Sequence, residues 1–117
     1  MSDTAALRAL RTLPSVGPAF AADLLSLGYR APADLVGQDP VEMFVRLESQ
    51  AGRQDPCVLD SLRCAVYAAG ASDPDLERLK WWTWSRLRLA GQVGSVAEAR
   101  AAQRQSSEVS HTQRSPP

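Results

Sequence analysis

The chain has little of what active sites are made from. It holds one histidine and two cysteines. His111 stands far along the chain from Cys57 and Cys64, and the set is too small for an ordinary zinc site. The cysteines are seven positions apart on one expected helix, where two turns hold them about 10 Å apart, beyond disulfide reach. Both read as small buried hydrophobes on one stripe, in a pattern that suits a reducing cytoplasm. With so few His and Cys, neither a Ser-His-Asp nor a Cys-His arrangement can be assembled. No Gly-rich nucleotide-binding loop occurs. The carboxylates Asp23, Asp34, Asp39, Asp55 and Asp73 read as helix caps or solvated faces, because their spacing does not gather them around a metal. No catalytic residue, metal ligand, cofactor or small-molecule substrate is expected, and the chain reads as a non-enzyme.

Other absences narrow the class. No apolar run approaches the roughly 20 residues of a membrane helix. Met1-Ser2-Asp3-Thr4 offers no basic region ahead of an apolar core, so no signal peptide is expected. Strand-length alternation between turn residues is missing, which excludes a sheet. Lysine is nearly missing too: twelve of the 13 basic residues are Arg, and Lys80 is the other. Arg suits bidentate phosphate contact, although the bias fits a GC-rich genome more readily than a selected function. The 13 basic and 13 acidic residues cancel. The basic excess common among DNA-binding domains is therefore lacking, which leaves a local patch as the route to nucleic acid.

What remains is helix. Leu7 and Leu10 share a face of a first helix from about Asp3 to Arg11, capped by Asp3 or Thr4. Pro14 stops it. Gly17 is expected to permit a backbone turn that a side chain would resist. Pro18 opens a second helix to about Ser26 that presents Phe20, Leu24 and Leu27, and Gly28 caps its end. A short third helix follows Pro32 and ends at Gly37. Asp39-Pro40 and Asp55-Pro56 are cap-then-Pro starts for two further helices. The first carries Met43, Phe44 and Leu47 inward, and the second Leu59, Leu62, Cys64, Val66 and Tyr67. Asp73-Pro74 repeats the signal ahead of Trp81-Trp82-Thr83-Trp84. At helical spacing Trp81 and Trp84 share a face and are assigned to the core, while Trp82 points away. Residues 91–117 hold four Gln and five Ser, and their apolar content is too thin to repay ordering. They are expected to form a flexible tail after a domain at 1–90. One short frayed helix is expected near 96–103, where Ser95-Val96-Ala97-Glu98 makes a capping box.

The order helix, turn, helix, connector, helix, turn, helix is a weak internal echo, with turns at 13–17 and 51–55. The first turn, with Leu10, Leu13-Pro14-Ser15-Val16-Gly17-Pro18, Ala21 and Leu24-Leu25, resembles the helix-hairpin-helix motif. In such a turn the second helix opens with N–H groups that lack internal partners and carry partial positive charge, so a phosphate can accept from them. A longer ordered set adds Asp23-Leu24, Leu27-Gly28-Tyr29, Asp34-Leu35, Gln38-Asp39-Pro40, Cys57, Arg63-Cys64-Ala65-Val66-Tyr67 and Lys80-Trp81-Trp82-x-Trp84. Over about residues 5–85 the chain resembles the small bacterial family called pathogenicity locus or mitomycin resistance protein. The resemblance implies a helix-hairpin-helix fold, DNA association and a link to DNA damage.

Two departures weaken the hairpin. Ser15 stands where the motif often has its first Gly, raising the cost of the turn or offering its hydroxyl to a phosphate. Pro18 stands where a Lys or Arg is common, removing one N–H and supplying no charge. The expectation is thus an all-α, compact bundle of about five to six helices on tandem helix-hairpin-helix units, with a disordered C-terminal tail. It would bind DNA backbone phosphates through Ser15, Val16, Gly17 and Ala19, with Gly52 and Arg53 in the second turn and Arg11 and Arg30 nearby, as a cytoplasmic accessory to DNA repair. The alternative is a helical adaptor for a protein partner. A third reading, drug sequestration, needs a pocket lined by the Trp rings.

Overall fold

The computed structural model describes residues 2–102, and all their regular structure is helical. The helices are α1 (Asp3–Leu10), α2 (Pro18–Ser26), α3 (Pro40–Ala51), α4 (Pro56–Gly70) and α5 (Trp81–Leu89). A sixth helix, α6, covers residues 96–102. Two 3₁₀ turns, Pro32–Leu35 and Leu76–Leu79, sit in the connectors. No helix among the described residues is long and apolar enough to cross a membrane.

Proline at the first position opens α2, α3 and α4, where its missing N–H costs nothing and its fixed φ already suits a helix. Asp39 caps α3 by accepting from Val41 N at 2.9 Å. The cap of α1 is Ser2, which accepts from Ala5 N at 3.2 Å, rather than Asp3 or Thr4. The end of α2 closes as a Schellman motif: Gly28 N donates to Leu25 O and Tyr29 N to Leu24 O.

α4 is the central element and packs against α3, α5 and both 3₁₀ turns, while α1 packs on α2. One core joins them through Leu10, Leu24, Leu35, Phe44, Leu59 and Leu62. Arg46 ties α3 to the end of α2, donating 2.7 Å to Leu27 O and 3.2 Å to Tyr29 Oη. A cation there meets the negative end of the helix dipole.

Three expectations are corrected. The flexible tail does not begin at residue 91. Gly91, at φ 73°, ends α5 with the same Schellman pairing and returns the chain to the body. There α6 places Val96 and Ala99 in the core, after Ser95 accepts from Glu98 N at 3.1 Å. The frayed helix is thus a docked one as far as residue 102, and the rest of that expectation lies outside the described residues. Cys57 is exposed in the first turn of α4, ahead of the buried run that begins at Leu59, and only Cys64 is buried. Finally, α5 has no buried residue. Trp81 and Trp84 are half-buried against the surface of α4 rather than inside the core. Trp84 stacks at 5.8 Å on Tyr67 and donates from Nε1 to Arg78 O at 2.9 Å. Trp82 is exposed, as expected, although its ring meets Trp81 edge to face.

Candidate nucleic-acid interface

The α1–α2 turn is built on two buried apolar anchors, Leu13 and Val16. Between them Ser15 takes φ 64°, a left-handed conformation that costs an L-residue roughly 1–2 kcal/mol. The strain expected from a serine at this position is real. Its hydroxyl is not free for a phosphate, because Ser15 Oγ donates to Leu79 O at 3.1 Å. That bond ties the turn to the chain just ahead of α5 and helps hold the strained residue in place. Cys64 lies beneath it. Burial pushes the Cys64 thiol up, and the Ser15 hydroxyl offsets part of that rise, so this sulfur stays protonated and inert near neutral pH.

Gly17 has a different role from the one its sequence position implies. Its φ of −92° and ψ of −176° form an extended conformation open to any residue, so the tight geometry belongs to Ser15. A Cβ at Gly17 would meet nothing within 4 Å, so this backbone is open to approach. Val16 is a core residue whose N–H donates to Leu13 O, which removes it from the donor set. The amides of Gly17, Ala19 and Phe20 have no acceptor among the described residues. No side chain caps α2 and its first turn holds no acid. By contrast α1 and α3 start with side-chain caps and with Asp3 and Glu42 in their first turns, while α4, which also lacks a side-chain cap and a first-turn acid, has the carboxylate of Asp55 at its N-cap where α2 has Gly17. Arg11 is exposed at the end of α1 and forms no ion pair among the described residues.

Arg30 does not join this opening. Arg30 pairs with Asp3 at 3.1 Å. Asp3 begins α1 and Arg30 follows α2, so both stand at the far end of the pair from Gly17. With α2 nine residues long, the separation is about 13 Å, too far to share one phosphate.

The second turn is occupied by the protein itself. Gly52, at φ 89°, donates to Glu48 O and accepts from Gln54 Nε2, so its amide is not available. Glu48 Oε2 takes the Gln54 N–H at 2.9 Å, much as a phosphate oxygen would. Arg100 of α6 grips the same carboxylate through both oxygens, at 3.0 and 2.7 Å. That guanidinium holds Glu48 below the usual carboxylate range, with smaller help from Gln54 and Arg53. Arg53 remains exposed. Sequence reasoning missed Glu48 and Arg100, and no local signal pairs residues 52 positions apart.

A buried charge cluster was missed as well. Asp60 has no solvent access and accepts from Arg88 Nε and Nη2 at 3.0 and 3.1 Å. Arg63, one turn along α4, is buried too, and its Nη1 has no hydrogen-bond partner among the described residues. The Trp rings do not line a common pocket, since Trp84 lies on Tyr67 while Trp82 faces solvent. The described residues include no group of three or more His, Cys, Asp or Glu placed to hold a metal.

Comparison with known proteins follows the same boundary as the hairpins and α5. The profile of the family described as pathogenicity locus matches residues 3–90. The chain belongs to that family. It is 36% identical over 87 residues to the mitomycin resistance protein McrB of Streptomyces lavendulae, covering 71% of this chain and 79% of that protein. No solved structure matches the chain. The helix α6, with Arg100, lies beyond the span matched by the family profile.

Proposed function

We propose that the chain binds DNA backbone without reading sequence, using the α1–α2 pair as a helix-hairpin-helix element. The carrying observation is the start of α2, where three amides lack acceptors and neither a capping side chain nor an acid blocks approach. A phosphate supplies the missing acceptor and meets the positive end of the helix dipole, and the exposed Arg11 at the end of α1 is the cation this reading assigns to it. Contacts of this kind position a protein on a duplex and carry no base information. In this reading the protein is a cytoplasmic binding factor, not an enzyme, and an accessory to DNA repair or protection. A relative named for mitomycin resistance supports the protective role. The second reading, a helical adaptor for another protein, is favoured by the exposed Leu76 and Leu89.

Ala19→Glu separates the two. A carboxylate at this exposed first-turn position competes for the open amides and repels phosphate, yet it favours the helix by about 0.3–1 kcal/mol. Anisotropy of a labelled duplex is expected to show salt-sensitive binding to the parent chain and at least ten-fold weaker binding to the variant, with unchanged or raised thermal stability. If the variant binds DNA as well as the parent, the hairpin is not the contact. If neither binds at low salt, the adaptor reading stands.

A further inference from the structure

Within α5 the residues most open to solvent are Trp82, Arg86 and Leu89. They fall at i, i+4 and i+7 and so form one stripe. The solvent stripe of a surface helix is ordinarily polar. Here two of its three members are large and apolar, Trp82 at 48% exposure and Leu89 at 77%. The Trp82 ring is also held in place. It stands at 86° to Trp81 with centroids 6.1 Å apart, and Lys80 Nζ, shared with Glu77, lies 6.0 Å from its centroid. A ring with neighbours on one side and half its surface in water has area left on which something can stack.

The charge around the stripe says what that partner is. Helix α5 contains Arg86 and Arg88 and no acid. Arg88 is committed to Asp60, which leaves Arg86 on the stripe, one turn from Trp82 and roughly 5–6 Å away at Cβ. An aromatic face beside a cation at that spacing matches a nucleobase beside its own phosphate, and stacking tolerates any base. A second copy of this chain would bring another Arg86 and no acid on α5 to meet the first. The Ser15–Leu79 bond ties the chain just ahead of α5 to the first hairpin turn.

We infer that the Trp82–Arg86 stripe is a stacking platform for an unpaired nucleobase, and that single-stranded nucleic acid is the preferred ligand. The inference rests on the nucleic-acid reading of the hairpin, and it names which form of the polymer is bound. A duplex keeps its bases stacked on one another and offers Trp82 no free face. A single strand offers one beside every phosphate.

The test uses the full chain with labelled 15-nucleotide oligo(dT) and a 15-base-pair duplex, at fixed low salt. Oligo(dT) is expected to bind several-fold more tightly. Trp82→Ala should weaken oligo(dT) roughly ten-fold and leave the duplex within two-fold, whereas Trp82→Phe should keep most of the affinity. Arg86→Gln should weaken oligo(dT) and flatten its salt dependence by about one phosphate contact. Circular dichroism checks folding, and Trp82→Phe keeps the comparison valid if Trp82→Ala is unstable. Equal effects of Trp82→Ala on both ligands, or none on either, would overturn the platform while leaving the hairpin reading intact. So would self-association in sedimentation that Trp82→Ala abolishes, since a second copy would then cover the stripe. Absence of binding to both ligands would remove this inference and the hairpin reading together.

Discussion

Asp60 is the residue on which the charge balance of the interior turns. It is fully buried and meets Arg88 through two hydrogen bonds, which hold the Arg88 guanidinium above its ordinary pKa. Burial pulls Arg63 the other way, and the nearby Asp60 charge offsets part of that pull. Removing the carboxylate leaves two guanidinium groups in a poorly solvated region without a counter-charge. Asp60→Ala should therefore cost about 3–5 kcal/mol in urea unfolding. Arg63→Met should cost under about 1 kcal/mol, because it removes a buried donor that has no partner and keeps the aliphatic packing. If the two variants proved equally destabilising, Arg63 would be holding the site together and the assignment of Asp60 as its keystone would be wrong.

At the level of elements, α6 is where composition misleads most. The Ser, Gln and Gly content after residue 90 reads as a tail, and only the capping box at Ser95–Glu98 hints otherwise. What orders the segment is long-range: Val96 and Ala99 in the core, and Arg100 on Glu48. The ion pair makes a pH prediction. Glu48 has its folded pKa lowered from an ordinary value near 4.5. A depressed carboxylate contributes stability that is present above the unfolded value and lost as pH falls through the lower folded one. Urea midpoints measured from pH 7 to pH 3 should fall below about pH 4.5 in the parent chain. Arg100→Met should start lower and fall less steeply over that acid range. Parallel curves for the two proteins would show that Glu48 draws its low pKa from elsewhere. The same contrast explains which other elements were readable. Helix starts with Pro at the first position, at 18, 40 and 56, are set by local φ and the missing N–H, so they can be read one residue at a time. Asp73-Pro74 carries the same letters without starting a helix. There Asp75 N donates 2.8 Å to Tyr67 Oη and Asp75 caps the 3₁₀ turn instead, so a tertiary bond to α4 outweighs the local signal. Part of the proposed site follows the same rule. Gly17 and Ala19 follow from the position of the α2 start, while the loss of Gly52, Val16 and Arg30 from the set depends on partners elsewhere in sequence or space.

For the molecule as a whole, zero net charge means that no general field draws it to a polyanion, so binding has to come from a small local group. The two turns are not equivalent in this respect. The first presents open amides, and the exposed Arg11 ends the helix that leads into it. The second has the amides of Gly52 and Gln54 taken by Glu48, through its backbone oxygen and its carboxylate, with Arg100 neutralising that carboxylate. Arg30, at the far end of α1–α2, is paired with Asp3. If the hairpin reading is right, charge reversal should expose this asymmetry. Arg11→Glu should weaken duplex binding about ten-fold or more, whereas Arg53→Glu and Arg30→Glu should each change it only a few-fold. The salt dependence should be shallow too. With about two phosphates engaged, a slope near −0.9 per phosphate predicts a loss of roughly ten-fold between 50 and 200 mM salt. Equal losses for Arg11→Glu and Arg53→Glu, with a steeper slope, would mean that both turns grip the backbone. Glu48 would then have to release Gln54 N on binding, and the tandem arrangement expected from the sequence echo would operate despite the occupied second turn.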